Sequence, residues 1–70
     1  MEYLKVLITG KKNHMIDVLI NKTRNGKVGE ILTLGKGIVL VSVDLPEAEE
    51  IQVDLSDTTV SHPKVVEIKA

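Results

Sequence analysis

The two histidines, His14 and His62, are the side chains of this chain best suited to bind a metal ion or act as a general base. Each stands alone, because no His-x-x-x-His spacing occurs and His62 lies beside Pro63 next to a turn-like segment. A shared site would require the two loops to meet. Both are interpreted as exposed loop histidines. The sequence therefore predicts no catalytic residue, no metal ligand and no cofactor, and the chain is not expected to be an enzyme.

Carboxylates concentrate between residues 47 and 57, where their oxygens could bind Ca²⁺. The spacing of Asp54, Asp57 and the acidic cluster 47–50 matches no EF-hand loop. These side chains are interpreted as a solvated face that discourages an edge strand from pairing with another chain.

Two short glycine- and lysine-containing stretches, residues 27–29 and 35–37, invite comparison with a phosphate-binding loop. The Walker pattern requires glycine, four residues, and then Gly-Lys-Ser/Thr ahead of a helix, and neither stretch has it. Their glycines are interpreted as turn residues that supply positive φ.

Six basic side chains could form a nucleic-acid-binding surface if the loops at one end of the fold converge. Residues 1–36 carry seven basic and three acidic groups, a net charge of +4, whereas residues 37–70 carry two basic and seven acidic groups, a net charge of −5. An aromatic stacking platform is missing, because Tyr3 is the only aromatic residue, and the whole chain has a net charge of −1. The candidate partner-binding residues are Lys11, Lys12, Lys22, Arg24, Lys27 and Lys36.

The elements that must position these side chains are β-strands, because apolar residues alternate with polar ones along most of the chain. Turns that contain Gly, Asn or Pro separate the alternating segments. The predicted strands cover residues 3–8, 17–21, 27–34, 38–43, 51–56 and 64–68.

The stretch from Gly26 to Asp44 is predicted to be the hairpin around which the other strands assemble. Asn25-Gly26 predicts a tight reversal, since both residues tolerate positive φ, and Gly29 is expected to mark a bulge in the strand that follows. Residues 35–37 are expected to turn the chain into a central strand that is apolar on both faces. Residues 44–50 are predicted to form a loop.

Composition leads to the same fold class. The apolar residues are nearly all Val, Ile and Leu, only two alanines occur, and no cysteine is available for a disulfide. Seventy residues suffice for one domain, residues 1–70, which buries about 60% of the surface of its unfolded chain. The prediction is an all-β fold, a small antiparallel β-sandwich of about six strands, prealbumin- or immunoglobulin-like, with a small β-barrel as the alternative.

A family resemblance rests on the segment 17–21, on Gly29, on Leu32-Thr33-Leu34, and on Gly37 followed by alternating valines at 39, 41 and 43. Across roughly residues 15–68 this pattern resembles the PEGA-type and carboxypeptidase-regulatory-like modules of bacterial proteins. The tetrapeptide that names the PEGA family is absent, and the turn at 22–26 is longer than the family's usual one. The resemblance implies a β-sandwich that serves as an accessory or interaction module, with no catalytic residues to transfer.

The function predicted from the sequence is that of a non-catalytic interaction or structural module, which binds another protein through a sheet edge or loops. The alternative is a barrel-like nucleic-acid-binding module that uses the basic loops. A third hypothesis is self-association, in which an exposed edge strand pairs across a two-fold axis. No segment has the length of a membrane span and no signal peptide is visible, which predicts a soluble, cytoplasmic protein.

Overall fold

The computed structural model of this chain describes residues 1–9 and 15–69, and it is all-β. Within that part of the chain, no helix is long and apolar enough to cross a membrane. The strands are β1 (Glu2–Ile8), β2 (Asp17–Ile20), β3 (Thr23–Lys27), β4 (Ile31–Leu34), β5 (Gly37–Val43), β6 (Ile51–Leu55) and β7 (Lys64–Ile68).

The strands form two sheets that face each other across one apolar core. The three-stranded sheet has the order β4-β1-β7 and the four-stranded sheet the order β3-β2-β5-β6. The predicted all-β class is confirmed, with the two-sheet organisation of a small β-sandwich. Successive side chains of a strand point to opposite faces, so one face of each sheet can pack against the core. In β1, Leu4, Val6 and Ile8 are buried, whereas Lys5 and Leu7 between them are only half-buried. Each fully buried aliphatic side chain contributes about 1.5–3 kcal/mol relative to its exposed state.

The first reversal differs from the prediction. The chain turns at Asn21 and Lys22, whose φ angles of 50° and 67° fit a two-residue hairpin turn, and Ile20 pairs with Thr23 on either side. Residues 23–26, predicted as part of the turn, lie in β3 instead. Gly26 lies inside that strand with φ 109°. Its positive φ therefore occurs at an irregularity within the strand and not at the reversal.

The predicted strand over residues 27–34 is wrong in its first half. Residues 28–30 cross from the four-stranded sheet to the three-stranded one, and the backbone N–H of Gly29 donates to the carbonyl of Val6 at 2.9 Å. Gly29, with φ 86°, is therefore a crossover residue and not a bulge. The predicted hairpin from Gly26 to Asp44 is also wrong, because β4 and β5 belong to different sheets. Splitting this region raises the strand number to seven.

One strand pair departs from the antiparallel prediction. β7 pairs with β1 in parallel, with Leu4 opposite Lys64 and Ile8 opposite Ile68. The segment between β6 and β7 crosses from one sheet to the other, so β7 lies beside β1 and runs in the same direction.

The prediction of a central strand is confirmed, since β5 lies between β2 and β6. Residues 44–50 form a loop, as predicted.

Candidate functional site

A cluster of two cations and two carboxylates lies on the outer face of the four-stranded sheet, beside β3. Arg24 Nε lies 3.4 Å from Asp17 Oδ2, and Arg24 Nη2 lies 3.1 Å from Asp44 Oδ2. The Lys27 ammonium donates to Asp17 Oδ1. The strand register brings these four side chains together, because Lys27 of β3 pairs with Asp17 of β2 and Asp44 directly follows β5. Two of the predicted partner-binding cations thus have acidic partners within the same molecule.

The Asp17 carboxylate responds to this environment. The hydrogen bond from Lys27 lowers the pKa of Asp17 below its ordinary value, and the positive charges of Lys27 and Arg24 act in the same direction against the cost of desolvation. Arg24 is 71% exposed, so solvent screens its pairs and they contribute little to folding stability. The cluster is therefore a charge-balanced surface and not a concentrated positive patch.

The other predicted basic residues are divided between separate places. Lys22 is exposed in the β2–β3 turn, at the opposite end of these two strands from the Asp17–Lys27 pair. Lys36 lies between β4 and β5, at the opposite end of β5 from Asp44, where its charge acts on the carboxylate of Glu2. Lys11 and Lys12 lie outside the described residues. Arg24 and Lys27 lie in β3 and Lys22 immediately precedes that strand, at the end opposite Lys27, whereas Lys36 lies in a different loop.

The predicted histidine and acidic sites have a simple local structure. His62 is exposed in the β6–β7 loop, as predicted, and its backbone N–H donates to Thr59 Oγ1 at 3.0 Å. His14 lies outside the described residues. Over residues 1–9 and 15–69, no group of three or more His, Asp or Glu side chains is arranged so that it could hold a metal ion, and no concave pocket is found there.

Glu2 forms a buried polar contact. Its Oε1 accepts hydrogen bonds from Thr58 Oγ1 at 2.6 Å and from the Thr58 backbone N–H at 2.9 Å, while Thr58 Oγ1 accepts from the Tyr3 backbone N–H at 2.7 Å. Both hydrogen bonds from Thr58 lower the pKa of Glu2, and the bond from the hydroxyl has the larger effect. The contact attaches the β6–β7 loop to β1. The sequence carried a signal for it, because Glu2 has the same alternation phase as Leu4 and Val6.

The four outer strands of the two sheets differ in how their edges are covered. In β3 the pairing shifts between Leu19↔Arg24 and Asp17↔Lys27, which is a β-bulge, and the backbone N–H of Lys27 donates to Glu30 Oε1. A bulge and flanking charges are the usual protection of an edge strand.

The edges of the three-stranded sheet are short or bridged. β4 has four residues. At the end of β7, the Lys69 backbone N–H donates to Glu49 Oε1 at 3.0 Å, and the Glu49 N–H donates to the Lys69 carbonyl at 3.2 Å. The loop between β5 and β6 therefore occupies the carboxyl-terminal part of the β7 edge.

β6 has an edge of another kind. The backbone of Leu40 in β5 bonds toward β2, since its carbonyl accepts from the Asn21 N–H and its N–H donates to Asn21 Oδ1. Hydrogen-bonding direction alternates along a strand, so Val39 and Val41 bond toward β6, where they pair with Val53 and Ile51.

It follows that the backbone N–H and C=O groups of Gln52 and Asp54 point away from β5. No hydrogen bond to Gln52 or Asp54 occurs from any described residue outside the strand ladder. β6 pairs with β5 without a register shift. It is a regular five-residue strand whose outer edge has no partner among residues 1–9 and 15–69.

The side chains of β6 follow the predicted alternation. Val53 and Leu55 are buried, and Gln52 and Asp54 are exposed on the outer face. Sequence reasoning assigned both faces of this strand correctly but did not identify it as an outer strand. Its position as an outer strand depends on strand order, which alternation does not encode.

No known protein family, curated protein or solved structure matches this chain.

Proposed function

We propose that this chain is a non-catalytic interaction module whose β6 edge accepts an extended strand of another protein chain. The observation that carries the proposal is the pair of outward-pointing peptide groups of Gln52 and Asp54, which have no partner among the described residues. Main-chain hydrogen bonds from an added strand would satisfy them, as in other cases of β-strand addition.

The contrast between the outer strands supports β6 over the others. β3 is bulged and flanked by charges, β4 is short, and Glu49 bridges the end of β7. β6 has neither a bulge nor a proline, and Lys is absent from it. An open, regular edge of this kind is a template for pairing, which proteins ordinarily block when they do not use it.

The test compares three baits in a pull-down from the native source. Asp54→Pro removes an N–H that points to the open β6 edge, and Thr33→Pro is the matched control on the β4 edge. Thr33 is a suitable control because β1 pairs through Leu32 and Leu34, which leaves the Thr33 N–H outward. We expect the wild type and Thr33→Pro to capture the same protein, and Asp54→Pro to lose it while retaining the β circular-dichroism spectrum. Equal capture by all three folded baits would contradict the proposal.

The nucleic-acid hypothesis stays a prediction with its own test. Titration with RNA and DNA at low salt would shift the amide signals of Lys22, Arg24 and Lys27 if these residues bind phosphates, and the affinity would fall steeply as salt rises. The acidic partners of Arg24 and Lys27 reduce the positive charge that this surface offers. Salt-sensitive shifts at these three residues, together with equal capture by the baits, would replace the proposed function.

A further inference from the structure

We infer that the strand accepted by β6 is β6 of a second copy, paired antiparallel about a two-fold axis at Val53. This inference rests on the proposed function, because it names the occupant of the same edge. Its basis is the self-complementarity of the five residues of β6, in the backbone and in the side chains.

The backbone argument limits the arrangement to a few registers. Only Gln52 and Asp54 direct their peptide groups to the open edge, so these must form the hydrogen-bonded pairs of the new ladder. With the two-fold axis at Val53, Gln52 of each copy lies opposite Asp54 of the other. Each of these two pairs exchanges both of its N–H···O bonds. All the outward groups of β6 are then satisfied.

The side chains select one register. Shifting the axis to Gln52 would place Glu50 opposite Asp54 of the other copy, and shifting it to Asp54 would place the two Asp54 carboxylates opposite each other. Like charges directly opposite destabilise a sheet. With the axis at Val53, the Gln52 amide can donate to the Asp54 carboxylate on both sides of the axis, and Glu50 faces Ser56.

The same register extends the core and the outer face. On the inner side, Val53 meets its own copy and the half-buried Ile51 lies opposite Leu55. On the outer side, Ile38 pairs with Asp54 within one molecule and is 63% exposed, so Gln52 of the second copy comes to lie one strand beyond it. Two four-stranded sheets become one continuous sheet. Asp54, interpreted from sequence as a residue that discourages pairing, has a hydrogen-bond donor opposite it in this register.

Disulfide trapping tests the register directly, because the chain has no cysteine. Hydrogen-bonded antiparallel pairs have Cα atoms about 5.5 Å apart, within the range that a disulfide spans. We expect a mixture of Gln52→Cys and Asp54→Cys proteins under a mild oxidant to form the mixed dimer at least about tenfold faster than either variant alone. Equal rates in the three samples would overturn the register.

Charge variants test the contact in solution by sedimentation over a concentration series. Gln52→Glu places carboxylates opposite each other twice, so the dimer dissociation constant should rise about tenfold. Adding Asp54→Lys to that variant restores opposite charges and should recover the affinity. Thr23→Glu is the control, since it puts the same charge on the other outer strand of the sheet and should change nothing.

The outcomes separate this inference from the proposed function. A wild-type protein that is monomeric at every concentration would overturn the inference, while bait capture that is lost with Asp54→Pro would still support the proposed function, with a different chain as the occupant. A dimer that Gln52→Glu and Asp54→Pro leave unchanged would overturn the inference alone, because the proposed function is contradicted by equal capture with all three baits. A dimer that follows the charge variants supports the inference.

Discussion

The two outer strands of the four-stranded sheet, β3 and β6, have the same length but opposite edges. β3 is interrupted by a bulge at Gly26 and flanked by Arg24 and Lys27, which are paired with acids of the same molecule. β6 is regular and its outward peptide groups have no partner among the described residues. Availability for pairing therefore depends on backbone regularity and local charge, because both strands are outer strands of the same sheet.

The largest effect is expected on the inner face of β6. Leu55 has no exposed surface, so Leu55→Ala should lower the free energy of unfolding by about 2–5 kcal/mol through lost burial and the cavity that remains. Urea unfolding measures it. If this change cost no more than Asp54→Ala on the outer side of the same strand, the assignment of the β6 faces would be wrong.

A somewhat smaller effect is expected at the β3 bulge. A Cβ at Gly26 would lie 2.5 Å from Leu32 Cδ2, and the φ of 109° disfavours any other residue. Leu32 is buried and can shift only by repacking. Gly26→Ala should therefore cost about 2–4 kcal/mol. Gly35→Ala is the control, because a Cβ there meets nothing within 4 Å. Similar thermal midpoints for the two variants would contradict the role assigned to the bulge.

These glycines also mark where sequence reasoning succeeded and where it failed. Alternation located β1, β6 and β7 closely, because each has one face against the core. It failed between residues 21 and 37, where Asn-Gly and the later glycines fit a turn, a bulge or a crossover equally well. Only contacts distant in sequence, such as the hydrogen bond between Gly29 and Val6, decide among these. The open β6 edge was missed for the same reason, since strand order is a property of the assembled sheets.

The charge cluster beside β3 should make stability depend on acid. Because the folded-state pKa of Asp17 lies below its ordinary value of 3.8, its contribution is present above the unfolded-state pKa and is lost as the pH falls through the folded-state pKa. Asp17→Asn should lower the thermal midpoint at neutral pH, and the difference from the wild type should shrink below about pH 4. A difference that stays constant down to pH 2 would exclude the carboxylate as its source.

The smallest effect is expected on the outer face of β6. Gln52→Ala and Asp54→Ala remove exposed side chains with no bonds to other described residues, so each should change monomer stability by less than about 0.5 kcal/mol. Unfolding must be measured at low protein concentration, where any dimer has dissociated. A loss above 1 kcal/mol under these conditions would mean that the edge contributes to folding of the single chain.

The parallel pairing of β1 with β7 has a consequence for synthesis. All strands of the four-stranded sheet lie within residues 17–55, whereas the three-stranded sheet requires residues 2–8 to wait for residues 64–68. Chains emerge from the ribosome with the amino terminus first, so the larger sheet can assemble while the smaller one lacks a side. Force profiling of arrested nascent chains should show the final folding step only once β7 has emerged. A full folding signal from chains that stop after β6 would contradict this order.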